Sequence, residues 1–435
     1  MADWVRFQHY ARRVQVLCVQ SEEEEEPEWA TDLSAYAALQ RFHSGRILPN
    51  LVHCEWNYRE AGSYVMLFFQ PTLKTLQFLP GDPDDVCLVL QAIGKAAPNL
   101  QVLRLNDEDY FMLKNLRPDH SAALQTLHHL TTLHIENVLV LEDAFVHLSR
   151  LPNLHSFHVV LSDENRNSWS KPSWARFPAL RNLRIRSSGD VLERQTETMV
   201  SFLGSISTVT LNELNIEGDQ SSDLLALRNL FAVVGTFAHL GTLHIIFDSD
   251  MFSQQRSWGE QYLEGSVLAP LQALKLVEKF YVESVPIAIR SEDVRGLATA
   301  WRYLQFFKLI PGRTAHSRLD IEHLSHFAEH CQRLRELAVD IFPPTPEWAW
   351  NHSSHPTLSP MPSLNLLKSR LPPASAHQIA EYLADVFPLA TVSHDFGPRA
   401  VVPRDIVEAM RVMKAIAKIK EGLVNNPRGA AASAS

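Results

Sequence analysis

Eleven residues, spaced 22 to 33 positions apart, form a set whose types could do chemistry together: Glu55, Gln77, Arg104, His134, His158, Arg184, Asn215, His244, Lys275, Lys308 and Ala338. Seven of the eleven are Arg, Lys or His and one is acidic. Those three basic types make up 60 of 435 residues, which would place fewer than two in such a set. Each residue sits between two apolar neighbours, as in Leu103-Arg104-Leu105 and Leu183-Arg184-Ile185. In a strand that alternation turns the middle side chain away from the core. A central basic row of this kind would steer and hold an acidic or phosphorylated protein segment. Arginine offers bidentate contact to carboxylate or phosphate, lysine acts as a point charge, and histidine would strengthen the attraction below about pH 6.5. The partner-binding residues expected from this reading are Arg104, His134, His158, Arg184, Asn215, His244, Lys275 and Lys308. Adjacent rows carry both kinds of side chain: Glu136, Glu213, Glu217 and Asp340 are acidic, whereas Thr132, Ser156, Asn182, Arg186 and Thr242 are not.

A second set is His326-Phe-Ala-Glu329-His330. Two histidines four apart on a helix can share a zinc ion, with a glutamate as general base, the H-x-x-E-H arrangement of inverted zincins. The surrounding periodicity argues against that use. Ile321, Leu324, Ala328 and Cys331 recur at steps of three or four and make one apolar face. At about 100° per residue, His323, His326 and His330 form a stripe roughly 130° from the centre of that face. That is the wet side of a helix, without a cleft to exclude water, so the string reads as a solvated histidine face with adventitious nickel or zinc binding at most. A metal-dependent hydrolase is the remote alternative. His128-His129, the glycosylation pattern Asn351-His-Ser353, and the phosphorylatable Thr345-Pro346 and Ser359-Pro360 read as surface or turn chemistry. Sixteen glycines leave little room for a phosphate-cradling loop, and no Gly-x-Ser-x-Gly elbow occurs. The chain is expected to be no enzyme, with no catalytic residues, no metal ligands and no cofactor.

The elements that would position the row come from a repeat. An apolar residue, two variable ones, an apolar one, one variable and one apolar recur from Leu51-x-x-Cys54-x-Trp56 to Leu334-x-x-Leu337-x-Val339, eleven copies in all. A degenerate twelfth stands at Leu389-x-x-Val392. Many copies open with Pro or a polar pair, as in Pro98-Asn99-Leu100 and Pro152-Asn153-Leu154. The second half of each copy alternates with period two, so it predicts a short strand. Helical periodicity fills the intervals Asp85 to Ala97, Glu142 to Leu151, Thr198 to Ile206, Glu292 to Trp301 and Ile321 to Cys331. One such unit cannot bury its apolar side alone, and stacked neighbours make a continuous core. The expected fold is therefore an α/β, leucine-rich-repeat-like solenoid, a horseshoe with parallel strands on the concave face and helices on the convex face. The expected parts are an N-terminal cap at 1–48, the solenoid of 11–12 repeats at 49–402, a capping helix at 403–427 and a disordered tail at 428–435. Within them, Glu22 to Glu26 reads as a solvated acidic loop and Phe342 to Pro373 as a long Pro- and Ser-rich excursion.

A net charge of −9 and a pI near 6.1 argue against a general nucleic-acid binder. No run of about 18 apolar residues suggests a membrane span, and Met1 to Phe7 lacks the apolar core of a signal peptide. Four dispersed cysteines, Cys18, Cys54, Cys87 and Cys331, offer neither a disulfide framework nor a CxxC pair. A cytoplasmic or nuclear protein is expected.

The stretch Trp4-Val-Arg-Phe7-Gln-His-Tyr10-Ala-Arg12-Arg13-Val14, followed by the Leu-Pro-Asn-Leu and Pro-x-Leu-x-x-Leu units, resembles the F-box proteins with irregular leucine-rich repeats of mushroom-forming, basidiomycete-type fungi. The resemblance covers nearly the whole chain. It implies the substrate-recognition part of a ubiquitin ligase receptor, in which a preceding F-box docks a Skp-family adaptor of a cullin–RING ligase. Met1 stands almost directly before Trp4, so the F-box is expected to be missing here, and adaptor docking only where an F-box is supplied. The alternative reading is an F-box-less interaction scaffold with no ligase link.

Overall fold

A computed structural model describes residues 2–20, 33–42, 46–80, 83–105, 122–135, 142–162, 176–188, 192–206, 209–219, 224–248, 263–285, 287–310, 319–342, 361–366 and scattered positions from 379 to 393. The chain forms two compact units, Met1–Leu211 and Asn212–Ser435. The acidic run at 22–26, the motifs at 345–346, 351–353 and 359–360, the capping helix at 403–427 and the tail at 428–435 lie outside the described residues.

In the first unit the motif copies become strands, and among the described intervals stand helices and a 3-10 segment (Arg59–Phe68). Helix α1 (Ala2–Ala11) leads into β1 (Val16–Gln20), and α2 (Leu33–Phe42) into β2 (His53–Asn57). Then follow β3 (Thr75–Phe78), α3 (Pro83–Ala96), β4 (Val102–Leu105), β5 (Thr132–Ile135), α4 (Glu142–Ser149), β6 (Ser156–Ser162), β7 (Asn182–Ser188) and α5 (Leu192–Ser205). Strands β1 to β7 lie side by side in chain order, all parallel. Strand β1 extends the sheet into the segment expected to be only a cap.

The second unit repeats the scheme. The strands of its main ladder are β8 (Glu213–Asp219), β9 (Thr242–Asp248), β10 (Lys279–Glu283), β11 (Phe306–Ile310), β12 (Glu336–Val339), β13 (Ser363–Asn365) and β14 (Thr391–Ser393), again parallel and in chain order. Leu263–Glu264 with Ile287–Ala288, and Leu319–Asp320 with Ile341–Phe342, form two short parallel pairs beside it. Between them stand α6 (Leu224–Val234), a 3-10 segment (Gly265–Ala273), α7 (Ser291–Ala300) and α8 (Leu324–His330). Strand β13 places a further repeat inside the expected excursion.

The leucines that open the copies, from Leu51 to Leu334, are at most 2% exposed, and the two apolar strand positions after them are buried in nearly every copy. Removing one such leucine side chain typically costs about 2–5 kcal/mol. Register is fixed just after this leucine. The Gln101 carbonyl accepts the N–H groups of both Thr131 and Thr132, at 2.7 and 3.1 Å. The Thr131 carbonyl does the same for His155 and Ser156, and that of His155 for Arg181 and Asn182. In the second unit Asn212, Gly241, Glu278 and Gln305 each repeat it toward the next strand. The side chain of Asn99, from the Pro98-Asn99-Leu100 turn, adds a 3.0 Å bond to the Pro71 carbonyl one repeat back.

This two-donor junction corrects one copy. Glu278 holds the place after the opening apolar residue, so the ninth copy is Val277-x-x-Phe280-x-Val282 rather than Leu271-x-x-Leu274-x-Leu276. Leu271 belongs to the 3-10 segment, and Leu276 is exposed.

Candidate functional site

In the first unit the row runs in register across neighbouring strands: Glu55 opposite Gln77, then Arg104, His134, His158 and Arg184. At about 4.8 Å per strand, the Cα atoms of Arg104 and Arg184 stand roughly 14 Å apart. Arg104 and Arg184 are exposed, while His134 is half-buried and His158 only 4% exposed. The two imidazoles meet edge to face, with ring centroids 5.8 Å apart. His134 Nε2 lies 3.2 Å from the Ser156 hydroxyl.

These surroundings decide the charge of the histidines. Burial, reinforced by the Arg104 and Arg184 guanidinium groups, brings His134 from its ordinary 6.5 down to about 4. Burial, reinforced by Arg184 and His134, brings His158 down to about 3. Both are neutral at physiological pH, which overturns the expected gain in positive charge below pH 6.5 for these two. The row is thus two permanent guanidinium charges flanking a pair of neutral imidazoles. The row two residues earlier on the same face holds His53, Thr75, Val102, Thr132, Ser156 and Asn182, none of them acidic. A guanidinium group is chemically able to make bidentate contact with a carboxylate or phosphate.

In the second unit the register runs Asn215, His244, Tyr281, Lys308, Ala338, Asn365. Lys275 is not in it: it follows the 3-10 segment and its ammonium donates to the Gln272 carbonyl at 2.7 Å. Tyr281 takes that place. Acidic side chains stand beside the basic ones here. Glu283 receives Lys308 at 2.8 Å and has His244 at 4.0 Å. Asn215 donates to Glu213 at 3.1 Å. Ala338 is 1% exposed and faces no solvent.

The row also includes residues outside the eleven leucine-opened copies. Cys18 pairs with Glu55, and Asn365 with Ala338. The signal was present: Val14-x-x-Leu17-x-Val19, Val277-x-x-Phe280-x-Val282 and Met361-x-x-Leu364-x-Leu366 all obey the motif but open with Val or Met instead of Leu.

The histidine string departs from its helical wheel. Residues Ile321–His323 form a 3-10 turn before α8, which winds about 120° per residue rather than 100°. His323 is consequently only 8% exposed, not on a wet stripe. His326 is half-buried, with its Nε2 3.4 Å from the Ser291 hydroxyl of α7. Burial, followed by the proximity of His323, lowers the pKa of His326. His128 and His129 are exposed, with His128 packing edge to face on His147.

The parallel strand ladder, the helix or 3-10 segment between strands, and the apolar motif at each turn define the class: an α/β leucine-rich-repeat-like solenoid. No family model and no curated protein matches the chain. Among solved structures it is similar to an internalin from Listeria monocytogenes, at 14% identity over 81% of this chain and 83% of that one, with a TM-score of 0.42. A plant peptide hormone receptor, RGFR1 in complex with RGF2, is similar at 11% identity over 80% of this chain and 52% of the receptor, TM-score 0.28. The leucine-rich-repeat ectodomain of the receptor kinase GASSHO1/SCHENGEN3 from Arabidopsis thaliana is similar at 12% identity over 75% of this chain and 42% of that one, TM-score 0.25. Among the described residues no helix is long and apolar enough to cross a membrane.

Proposed function

We propose that this chain is a protein-binding repeat domain that captures an acidic or phosphorylated segment on the strand face of its first unit. The observation that supports this reading is the register of Arg104, His134, His158 and Arg184 on four consecutive strands. Arg104 and Arg184 make the charged contacts, and the neutral imidazoles between them form a surface that a backbone or hydroxyl group can meet. Following the resemblance of Trp4 to Val14 and the repeats, the captured segment belongs to a substrate of a cullin–RING ubiquitin ligase. The chain selects that substrate and does no chemistry itself.

Two measurements test the two levels of this reading. Arg104→Glu together with Arg184→Glu is expected to weaken an acidic or phosphorylated peptide about a hundredfold, near 2.7 kcal/mol; unchanged binding removes the basic row from the function. Mass spectrometry of proteins co-purifying with the C-terminally tagged chain from a fungal cell tests the ligase link. Recovery of a Skp-family adaptor and a cullin supports it, and recovery of other partners alone leaves an interaction scaffold.

A further inference from the structure

Among the described residues, three groups bring metal-ligating atoms together: Cys18, His53 and Glu55; His326, Glu329 and His330; and Asp320, Glu322 and His323. The first differs from the others in kind, because it contains a thiol and stands on two paired strands. Cys18 and Glu55 are register partners on β1 and β2. His53 lies two residues before Glu55 and therefore on the same face. The ligand atoms of all three lie within 4.8 Å of one another. Cys18 Sγ is 3.7 Å from Glu55 Oε2. The other carboxylate oxygen, Oε1, accepts a 2.8 Å hydrogen bond from Asn57 Nδ2. The carboxylate is thus oriented, with one oxygen held by Asn57 and the other turned to the thiol.

We infer that Cys18, His53 and Glu55 form a binding site for a zinc-type divalent cation, with Asn57 as its positioning residue. Thiolate, imidazole and carboxylate together are a donor set for borderline-soft Zn2+. Zinc bonds of about 2.0–2.3 Å draw tetrahedral ligands to roughly 3.5 Å apart, a contraction that side-chain rotation supplies. Three protein ligands leave the fourth position on the solvent side of the strand face, for water or for a side chain of a bound partner. The bond from Asn57 is the outer-shell contact that fixes a ligating carboxylate. Binding of a dication displaces the thiol proton to solvent. The site also ties the first strand to the second through side chains, in addition to their backbone ladder. It does not depend on the basic row or on the ligase reading.

The test is a Co2+ titration of the full chain, made without a histidine tag and kept reduced, with Zn2+ added afterwards. A thiolate-to-cobalt charge-transfer band should grow to saturation at a single equivalent and vanish when zinc displaces the cobalt. Cys18→Ser should abolish the band, and since Cys18 is exposed, far-ultraviolet circular dichroism should show the fold intact. His53→Ala and Asn57→Ala should each weaken binding by about tenfold or more. Cys87→Ser and the double variant His326→Ala/His330→Ala should leave the band unchanged. Absence of a thiolate band in the unmodified chain overturns the site, and so does a band that survives Cys18→Ser. Cobalt binding without that band, lost in the His326/His330 double variant, places an adventitious ion only on the helix and overturns it equally.

Discussion

Phe145 of the first unit packs against Phe177 and Phe202 at 5.2 Å between ring centroids, with Phe157 at 6.3 Å. Phe307 of the second packs against Phe327 at 4.8 Å and Phe280 at 5.2 Å, with Trp301 at 6.5 Å. The interiors are built alike, from rings contributed by strands and by the segments that cover them. The strand faces are not alike. In the first unit two arginines flank neutral histidines among Thr132, Ser156 and Asn182; in the second, Lys308 and His244 converge on Glu283, and Asn215 on Glu213. The difference shows how one repeat plan can keep its core alike while the residue between the two apolar strand positions varies from strand to strand. The basic composition of the row overstates both units: His134 and His158 of the first are neutral, and Lys308 and His244 of the second lie beside Glu283.

The comparison can be broken first at the core. Phe145→Ala and Phe307→Ala should each cost about 3–5 kcal/mol in urea denaturation, and a much smaller loss in either would show that the interiors are not equivalent. Acid should separate the units next. His134 and His158 bind protons more weakly when folded than when unfolded. Their contribution is therefore intact at neutral pH, declines as pH falls below 6.5, and is lost toward their folded values of about 4 and about 3. After discounting half-exposed His134 for solvent screening, the loss between pH 7 and 4.5 should be on the order of 3 kcal/mol. The double variant His134→Gln/His158→Gln should show a correspondingly shallower dependence in urea midpoints across that range.

Charge reversal sharpens the contrast of surfaces. Where Arg104→Glu and Arg184→Glu should together weaken an acidic peptide about a hundredfold, Lys308→Glu should change it by less than about threefold, because that lysine already faces Glu283. Equal losses by calorimetry would mean that both faces bind. The smallest effect is expected from Glu283→Gln. Stability should change by at most about 1 kcal/mol, as for a partly exposed ion pair, while Lys308 becomes available and the second unit gains weak affinity for the same peptide.

Much of the fold was legible because the leucines that open each copy are buried for the same reason every time. The errors have a common cause as well. Leu271-x-x-Leu274-x-Leu276 has the apolar spacing of a true copy, but Leu271 is spent on a 3-10 segment, and Val277 opens the strand. Val14 and Met361 open real copies with a residue other than leucine, so a leucine-keyed pattern does not reach them. Of the site, the positions of Arg104, His134, His158 and Arg184 could be read from alternation alone. The neutrality of the histidines could not, since it arises from neighbours on strands more than twenty residues away. Cys18, His53 and Glu55 were invisible for the same reason: their 35-residue separation in sequence closes only when β1 pairs with β2.

The carbonyl that accepts two N–H groups from the following strand recurs at Gln101, Thr131 and His155, and again at Gly241, Glu278 and Gln305. These junctions present the same acceptor and ask for the same pair of donors, whereas the Arg335 carbonyl receives Ser363 alone because Pro362 has no N–H. Excising one whole repeat leaves the cut ends with matching partners, whereas excising a single residue strands a donor and turns a strand's side chains over. The lengths open to this chain in descent are thus counted in repeats, and gain or loss of one would move the two arginines apart or together by a whole strand spacing.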